Sequence, residues 1–416
     1  MKNLISAFSP IRNLRYLLFR PGTNYAVVDG LRALSMVMIL MFHSYAIYVM
    51  SAKDITLPQL IEEGGYAWSW IINSDKSVDV FFVISGFLIT NILLRQIDSL
   101  GHIRLSNFYM RRFFRLTPVY YFSILLYTLI PGTSTENIGF NFVYLQNFLP
   151  YEEQAMNWTW TLAIEEQFYL LYPLVLMFML KTGNPIRWFI ILLLGSCAIR
   201  FGIIMSDEWI RTAPQSLLAE DKDFHAHHFS VLYDNLYTRF GALLSGCFAA
   251  YLHHYYREGC TRFFQSAAGK GAEVFSVFVV FVLMVVPLIS TRFDDYQALN
   301  IASQTFGRLI FSICISIWIL VSLEKSAMSR VLNIVFGNRF WYPIAQLSYS
   351  MYLVHVIAVS VAVSIVVNAM QKKPEIYNYS HMEAIWIVFG IGLLVTVMVS
   401  VIIYLVIERP LMNLRK

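Results

Sequence analysis

Apolar positions in this chain do not alternate with polar ones; they gather into ten long runs separated by polar stretches. The runs lie at about 28–50, 78–94, 113–130, 160–180, 187–205, 231–254, 274–290, 306–323, 341–367 and 384–407. Roughly 17–25 apolar residues cross a bilayer as a helix. A helix satisfies its own backbone hydrogen bonds, which hydrocarbon cannot do for it. Each run therefore predicts a transmembrane helix. The second, third and seventh runs are short, and predict helices that are broken or that extend into flanking polar residues. The fold class expected is all-α, a polytopic membrane helix bundle of about ten transmembrane helices.

Ten spans put both termini on one side, and Lys and Arg choose the side. With the N-terminus in the cytosol, the cytosolic segments hold 20 of the 31 Lys and Arg, against eight in the opposite loops. Arg32, Arg239 and Arg308 are left inside runs. This asymmetry predicts that both termini are cytosolic. Residues 1–26 form a basic cytosolic segment, 27–410 the membrane domain and 411–416 a short tail. Within the first segment, SPIRNLRYLLFRPG fits an amphipathic interfacial helix or a plain linker. No cleavable signal peptide, internal repeat or appended soluble domain is expected.

Composition agrees: 57% of residues are hydrophobic and 14% charged, where a soluble domain carries about 25% charged residues. Nothing points to nucleic acid, and the net charge of +5 follows from the loop asymmetry. Cys197, Cys247 and Cys314 fall in apolar runs and Cys260 in a basic loop, without metal-ligand spacing. Neither a disulfide framework nor a metal site is expected. The long outer loop, about 206–230, holds His225, His227 and His228. Such a cluster could bind a metal, but a solvated histidine-rich loop is the favoured reading.

Ionisable residues inside hydrocarbon are costly, so each is a candidate for function. Arg32 and His43 lie eleven positions apart in the first run. That is close to three helical turns, so both occupy one face about 16 Å apart. Arg32 can snorkel to the cytosolic surface, and Asp29 can cap the helix start. His43 lies deeper and needs a polar partner or a water-filled cavity. Asp79 opens the second run, and Glu165 and Glu166 follow Trp160 at the start of the fourth. All are expected at the depth of His43, where a carboxylate could orient the ring as a general base. The competing readings are a helix cap for Asp79, an interfacial turn for the Glu pair and a packed structural histidine. Arg111, Arg112 and Arg115 flank the third run, and suit phosphate groups or anionic lipid equally. His355, near mid-membrane in the ninth run, is either a second site residue or a packed histidine. Trp160, Glu166, Tyr349 and His355 complete the substrate-contact candidates. Glu408 and Arg409 are expected to pair where the last helix ends.

These segments stand in a telling order: DGLRAL with Arg32 and His43, VDVFFVISGFLIT, FYMRRFFRLTPVYY, WTLAIEEQFYLLYP, SYSMYLVH and ERP. Together they resemble the acyltransferase type 3 family of integral-membrane acyltransferases, over about residues 25–412. The resemblance implies transfer of an acyl group, most often acetyl, from cytosolic acyl-CoA to a hydroxyl of a sugar, glycan or glycolipid. It implies a multi-pass protein of a plasma membrane, the bacterial inner membrane. Arg32 and His43 would be catalytic, Arg112 and Arg115 would serve the donor, and Asp79 and Glu165 fall in matching motifs. Thr161 stands where family members often have Ser, and keeps the hydroxyl. No resident cofactor is implied; acetyl-CoA enters as a substrate. The partners expected are acyl-CoA, the acceptor and membrane lipid; a homo-oligomer is compatible with the sequence. Direct transfer with His43 as base, and a relay through an acyl-histidine, both fit. The rival classes are a proton-coupled transporter using the same His, Asp and Glu, and a non-enzymatic membrane scaffold.

Overall fold

The computed structural model describes residues 7–22, 25–52, 55, 59–60, 65 and 68–414. Helices dominate, with no strand among the described residues. The long ones are α1 (Pro10–Leu18), α2 (Ala26–Ser51), α3 (Ser77–Leu100), α4 (Leu105–Thr128), α5 (Trp160–Lys181) and α6 (Pro185–Ser206). They continue with α7 (Lys222–His228), α8 (Leu236–Tyr255), α9 (Ala267–Val285), α10 (Arg308–Ser322), α11 (Trp341–Lys372) and α12 (His381–Ile403).

Every predicted run falls on one of these helices, and eight helices among the described residues are long and apolar enough to cross a membrane. α4 and α8 fall outside that set. α4 carries Arg111, Arg112 and Arg115, and α8 carries Arg239 and ends on His253 and His254. Boundaries moved where polar residues continue a helix. α4 begins at Leu105, so its arginines sit within the helix rather than before it. α9 begins at Ala267, where the Ser266 hydroxyl accepts from the Gly269 N–H.

The chain divides into two compact units. The first comprises 1–77, 108–130 and 335–416. In it α2 and α11 run in the same direction. Gly30 lies so close to the Phe336 backbone that a Cβ would collide with it, and thirteen residues later His43 meets His355. α12 returns antiparallel to both. At its start the His381 ring meets the Tyr48 hydroxyl at 3.0 Å, and at its far end Glu408 accepts from Ser350 at 2.6 Å. Ser380 and Glu383 form a capping box that starts α12. Met36, Leu40, Met351, Leu353 and Val359 fill the core without exposure. α1 is helical as the amphipathic reading expects; Ile11, Leu14, Leu18 and Phe19 lie exposed while Asn13 and Leu17 are buried.

The second unit comprises 78–107 and 131–334. α3 and α8 interlock through glycine: a Cβ on Gly86 would strike the Leu243 carbonyl, and one on Gly246 the Val83 carbonyl. Such close backbone approach is the usual way helices associate without a hydrophobic driving force. Hydroxyls join the remaining helices. Thr90 meets Tyr172 at 2.7 Å, Ser316 donates to Ser245 at 3.2 Å, and the Trp318 indole donates to Ser276 at 3.1 Å.

Candidate functional site

The first unit holds a polar column along the α2, α11 and α12 packing. His355 is fully buried, and its Nδ1 lies 2.7 Å from the Tyr352 carbonyl. A carbonyl only accepts, so Nδ1 carries the hydrogen and Nε2 the lone pair. That Nε2 lies 3.3 Å from His43 Nδ1, which also lies 2.9 Å from the Ile39 carbonyl. Both neighbours of His43 Nδ1 are acceptors, so it is the protonated nitrogen. Nε2 of His43 therefore carries the lone pair, which is the form a general base requires. The two rings pack edge to face with centroids 4.7 Å apart.

Nearer the start of α2 the column turns ionic. Glu408 is buried and accepts from the Ser350 hydroxyl, and the guanidiniums of Arg115, Arg409 and Arg32 act on it electrostatically. Arg32 and Arg115, far apart in sequence, thus converge on one carboxylate. Glu408 reaches this place from a π-helical turn, Tyr404–Glu408. Such turns shift a side chain's facing by one residue and cluster at functional sites. The expected ion pair between Glu408 and Arg409 is not formed. Adjacent helical positions point about 100° apart, and Arg409 instead caps the Tyr16 ring at 3.8 Å. Asp29, read as a cap, pairs with Arg20 at 3.2 Å. Arg112 and Arg115 are half-buried, Arg111 is exposed, and Tyr349 donates to the Leu116 carbonyl at 2.8 Å, tying α11 to α4.

In the second unit Asp79 is 1% exposed and held between Arg308 at 2.8 Å and Arg239 at 3.4 Å. Trp160 belongs to an aromatic cage, with Phe82 and Tyr233, around the Arg239 guanidinium. Glu165 accepts from Ser85 at 2.6 Å, and Glu166 beside it is half-buried. The ring partner of His43 within its own unit is thus His355, while Asp79 is engaged by guanidiniums and Glu165 by a serine. Arg239 and Arg308 carried one signal in the sequence, a cation inside an apolar run. Ser350 and Glu408 carried none that separates them from packing and helix-end residues.

The histidine-rich stretch is helical, on α7, rather than a solvated loop. His227 meets Asp207 at 2.6 Å and His228 meets the Gln304 side-chain oxygen at 2.9 Å. Burial pushes His228 down to about 3. Burial raises Asp207, but the Ile210 N–H and the His227 ring outweigh it and leave its carboxyl below the ordinary range. No metal-ligand cluster exists among the described residues. A cavity of about 440 Å³ opens nearby, lined by Tyr151, Glu152, His227, Asn235 and Tyr237 among others.

A helical, multi-pass membrane protein with a buried histidine pair in one unit and buried arginines in the other has the makings of a membrane enzyme, and the family match gives its class as acyl transfer. The profile of a family described as an acyltransferase domain matches residues 25–405, and the chain belongs to the acyltransferase type 3 family. It is similar to the O-acetyltransferase OatA of Staphylococcus aureus, 32% identical over 202 residues, 44% of this chain and 28% of that protein. It is also similar to the peptidoglycan O-acetyltransferase OatA of Listeria monocytogenes, 31% identical over 178 residues, 38% of this chain and 25% of that protein. The chain thus spans about a quarter of the length of the curated relatives it matches. No solved structure matches it.

Proposed function

We propose that this chain moves an acetyl group from cytosolic acetyl-CoA to a sugar hydroxyl of a glycan or glycolipid, with His43 as general base. The observation that carries the reading is the His43–His355 pair, which leaves the lone pair on His43 Nε2. The acceptor oxygen attacks the thioester carbonyl carbon while His43 Nε2 takes its proton. The C–S bond then breaks, and the CoA thiolate recovers that proton from the imidazolium. His355 Nε2 accepts from His43 Nδ1 and stabilises the imidazolium as charge develops. Arg111, Arg112 and Arg115 bind the CoA phosphates, Arg111 from the surface and the other two half-buried. Arg32 and Glu408 hold the donor end of the column in register. In this account Asp79 and Glu165 organise the second unit, and the acyl-histidine relay is not needed.

The acceptor class rests on the relatives: one is named a peptidoglycan O-acetyltransferase. The 20-to-8 charge asymmetry supports both termini in the cytosol, and the membrane is taken as the bacterial inner membrane. The test is the purified protein in liposomes with acetyl-labelled acetyl-CoA and glycan fragments. Label should pass to the glycan as a hydroxylamine-labile ester. Solute flux without any acyl-CoA-dependent label would instead support a transporter.

A further inference from the structure

The second unit contains a small polar cavity that the acyl-transfer chemistry does not use. It is lined by Arg200, Arg239, Arg308, Asp79, Thr238 and Thr305 among others, and its free space is about 20 Å³. A cavity of about 10–15 Å³ in this measure holds one water, so this one fits a single monatomic species. Arg200 is 7% exposed, and its partners are all neutral carbonyls. Nε donates to Gln304 at 2.7 Å, and Nη1 to Leu232 at 3.2 Å and Thr238 at 3.1 Å. Two of these carbonyls belong to the π-helical segments Phe229–Tyr233 and Ser303–Gly307, so the guanidinium is fixed rigidly at the cavity wall. A guanidinium keeps its charge in proteins. Arg200 therefore brings a full positive charge into the interior with no ion pair, which is costly. Thr305 is 1% exposed, lines the same cavity, and its hydroxyl has no hydrogen-bond partner. His228, near Arg200 and Arg308, is kept neutral by burial and adds no charge.

We propose that this cavity is a binding site for one small monovalent anion of chloride size. The anion accepts from Thr305 Oγ1 and balances Arg200; Asp79 lines the same cavity but is already paired by Arg308 at 2.8 Å and Arg239 at 3.4 Å, so three guanidiniums against one carboxylate leave the lining net positive. A water in the same place would satisfy the hydroxyl but leave the charge. The site neither requires nor implies acyl transfer, so it stands or falls apart from the proposed activity.

The test is thermal unfolding of the full-length protein in detergent at constant ionic strength, exchanging gluconate for bromide, chloride or sulfate. Bromide and chloride should raise the unfolding temperature along a saturating curve, as a ligand bound only by the folded state does. Sulfate should not match them, whereas a general salt effect favours sulfate. Thr305→Val keeps the shape and loses one hydrogen bond. It should weaken apparent halide affinity by roughly tenfold with the protein still folded. Arg200→Gln should abolish the halide dependence. Bromide in a crystal should give an anomalous peak within reach of Thr305 Oγ1. A halide response absent in wild type, equal in wild type and Thr305→Val, or smaller than that of sulfate overturns the proposal.

Discussion

Replacing His355 by Phe tests whether it acts through His43 or in its own right. The ring is retained, but the acceptor facing His43 Nδ1 is lost. The Ile39 carbonyl still lies 2.9 Å from that nitrogen, so the tautomer of His43 survives. What is lost is stabilisation of the imidazolium in the transition state. A hydrogen bond from a charged donor is worth about 1.5–3 kcal/mol. The separation here is 3.3 Å, which is long, so the low end applies and the expected loss is roughly tenfold. The interaction strengthens only as the proton moves, so the loss should fall on kcat while the KM for acetyl-CoA holds. His355→Gln restores a side-chain acceptor and should recover most of the rate. The assay is steady-state transfer from labelled acetyl-CoA, with melting curves to check folding. A His355→Phe enzyme as inactive as His43→Ala would move the base to His355. A fully active one would make the pair mere packing.

Three further outcomes follow from other parts of the molecule. Arg112→Gln or Arg115→Gln should weaken CoA binding by about tenfold in calorimetry, because a charge-assisted phosphate contact is lost; unchanged affinity would return them to topogenic charges. Gly246→Val should lower stability by about 1–3 kcal/mol or block folding, since the added methyls meet the Val83 carbonyl across α3 and α8; an unchanged melting curve would contradict that packing. His228 titrates near 3 in the fold and near 6.5 unfolded, so the unfolded form binds more protons between those values. Local stability of the 222–233 segment should therefore rise with pH across that window, and be lost as pH is lowered from 6.5 toward 3, by about 1.4 kcal/mol per unit. Hydrogen exchange corrected for its intrinsic rate reads this, and His228→Asn should flatten it.

The helices were legible because a run near twenty apolar residues has few other stable states. The edges were less so. α4 continues back through Arg111 and Arg115 to Leu105, because long basic side chains carry their charge away from the helix. His43 stood out as a lone imidazole among apolar residues, and so did His355. Their pairing spans 312 positions and leaves no local trace. Asp79 and Glu165 were expected at the depth of His43; what the fold adds is their partners within their own unit, guanidiniums for Asp79 and Ser85 for Glu165. The guanidiniums that hold Asp79 come from α8 and α10, and a one-dimensional pattern cannot assign such partners. Glu408 was read as the neighbour of Arg409. Its turn toward Ser350 depends on a π-helical segment, which no residue preference announces.

If His43 takes the proton from the acceptor, acetyl transfer and acetyl-CoA affinity measured in one preparation of His43→Ala must part company. Loss of a general base should cut transfer by about 10²–10⁴-fold, with donor affinity and melting temperature held at wild-type values. A His43→Ala protein that binds acetyl-CoA normally and keeps more than half its transfer rate would show that another group takes the proton.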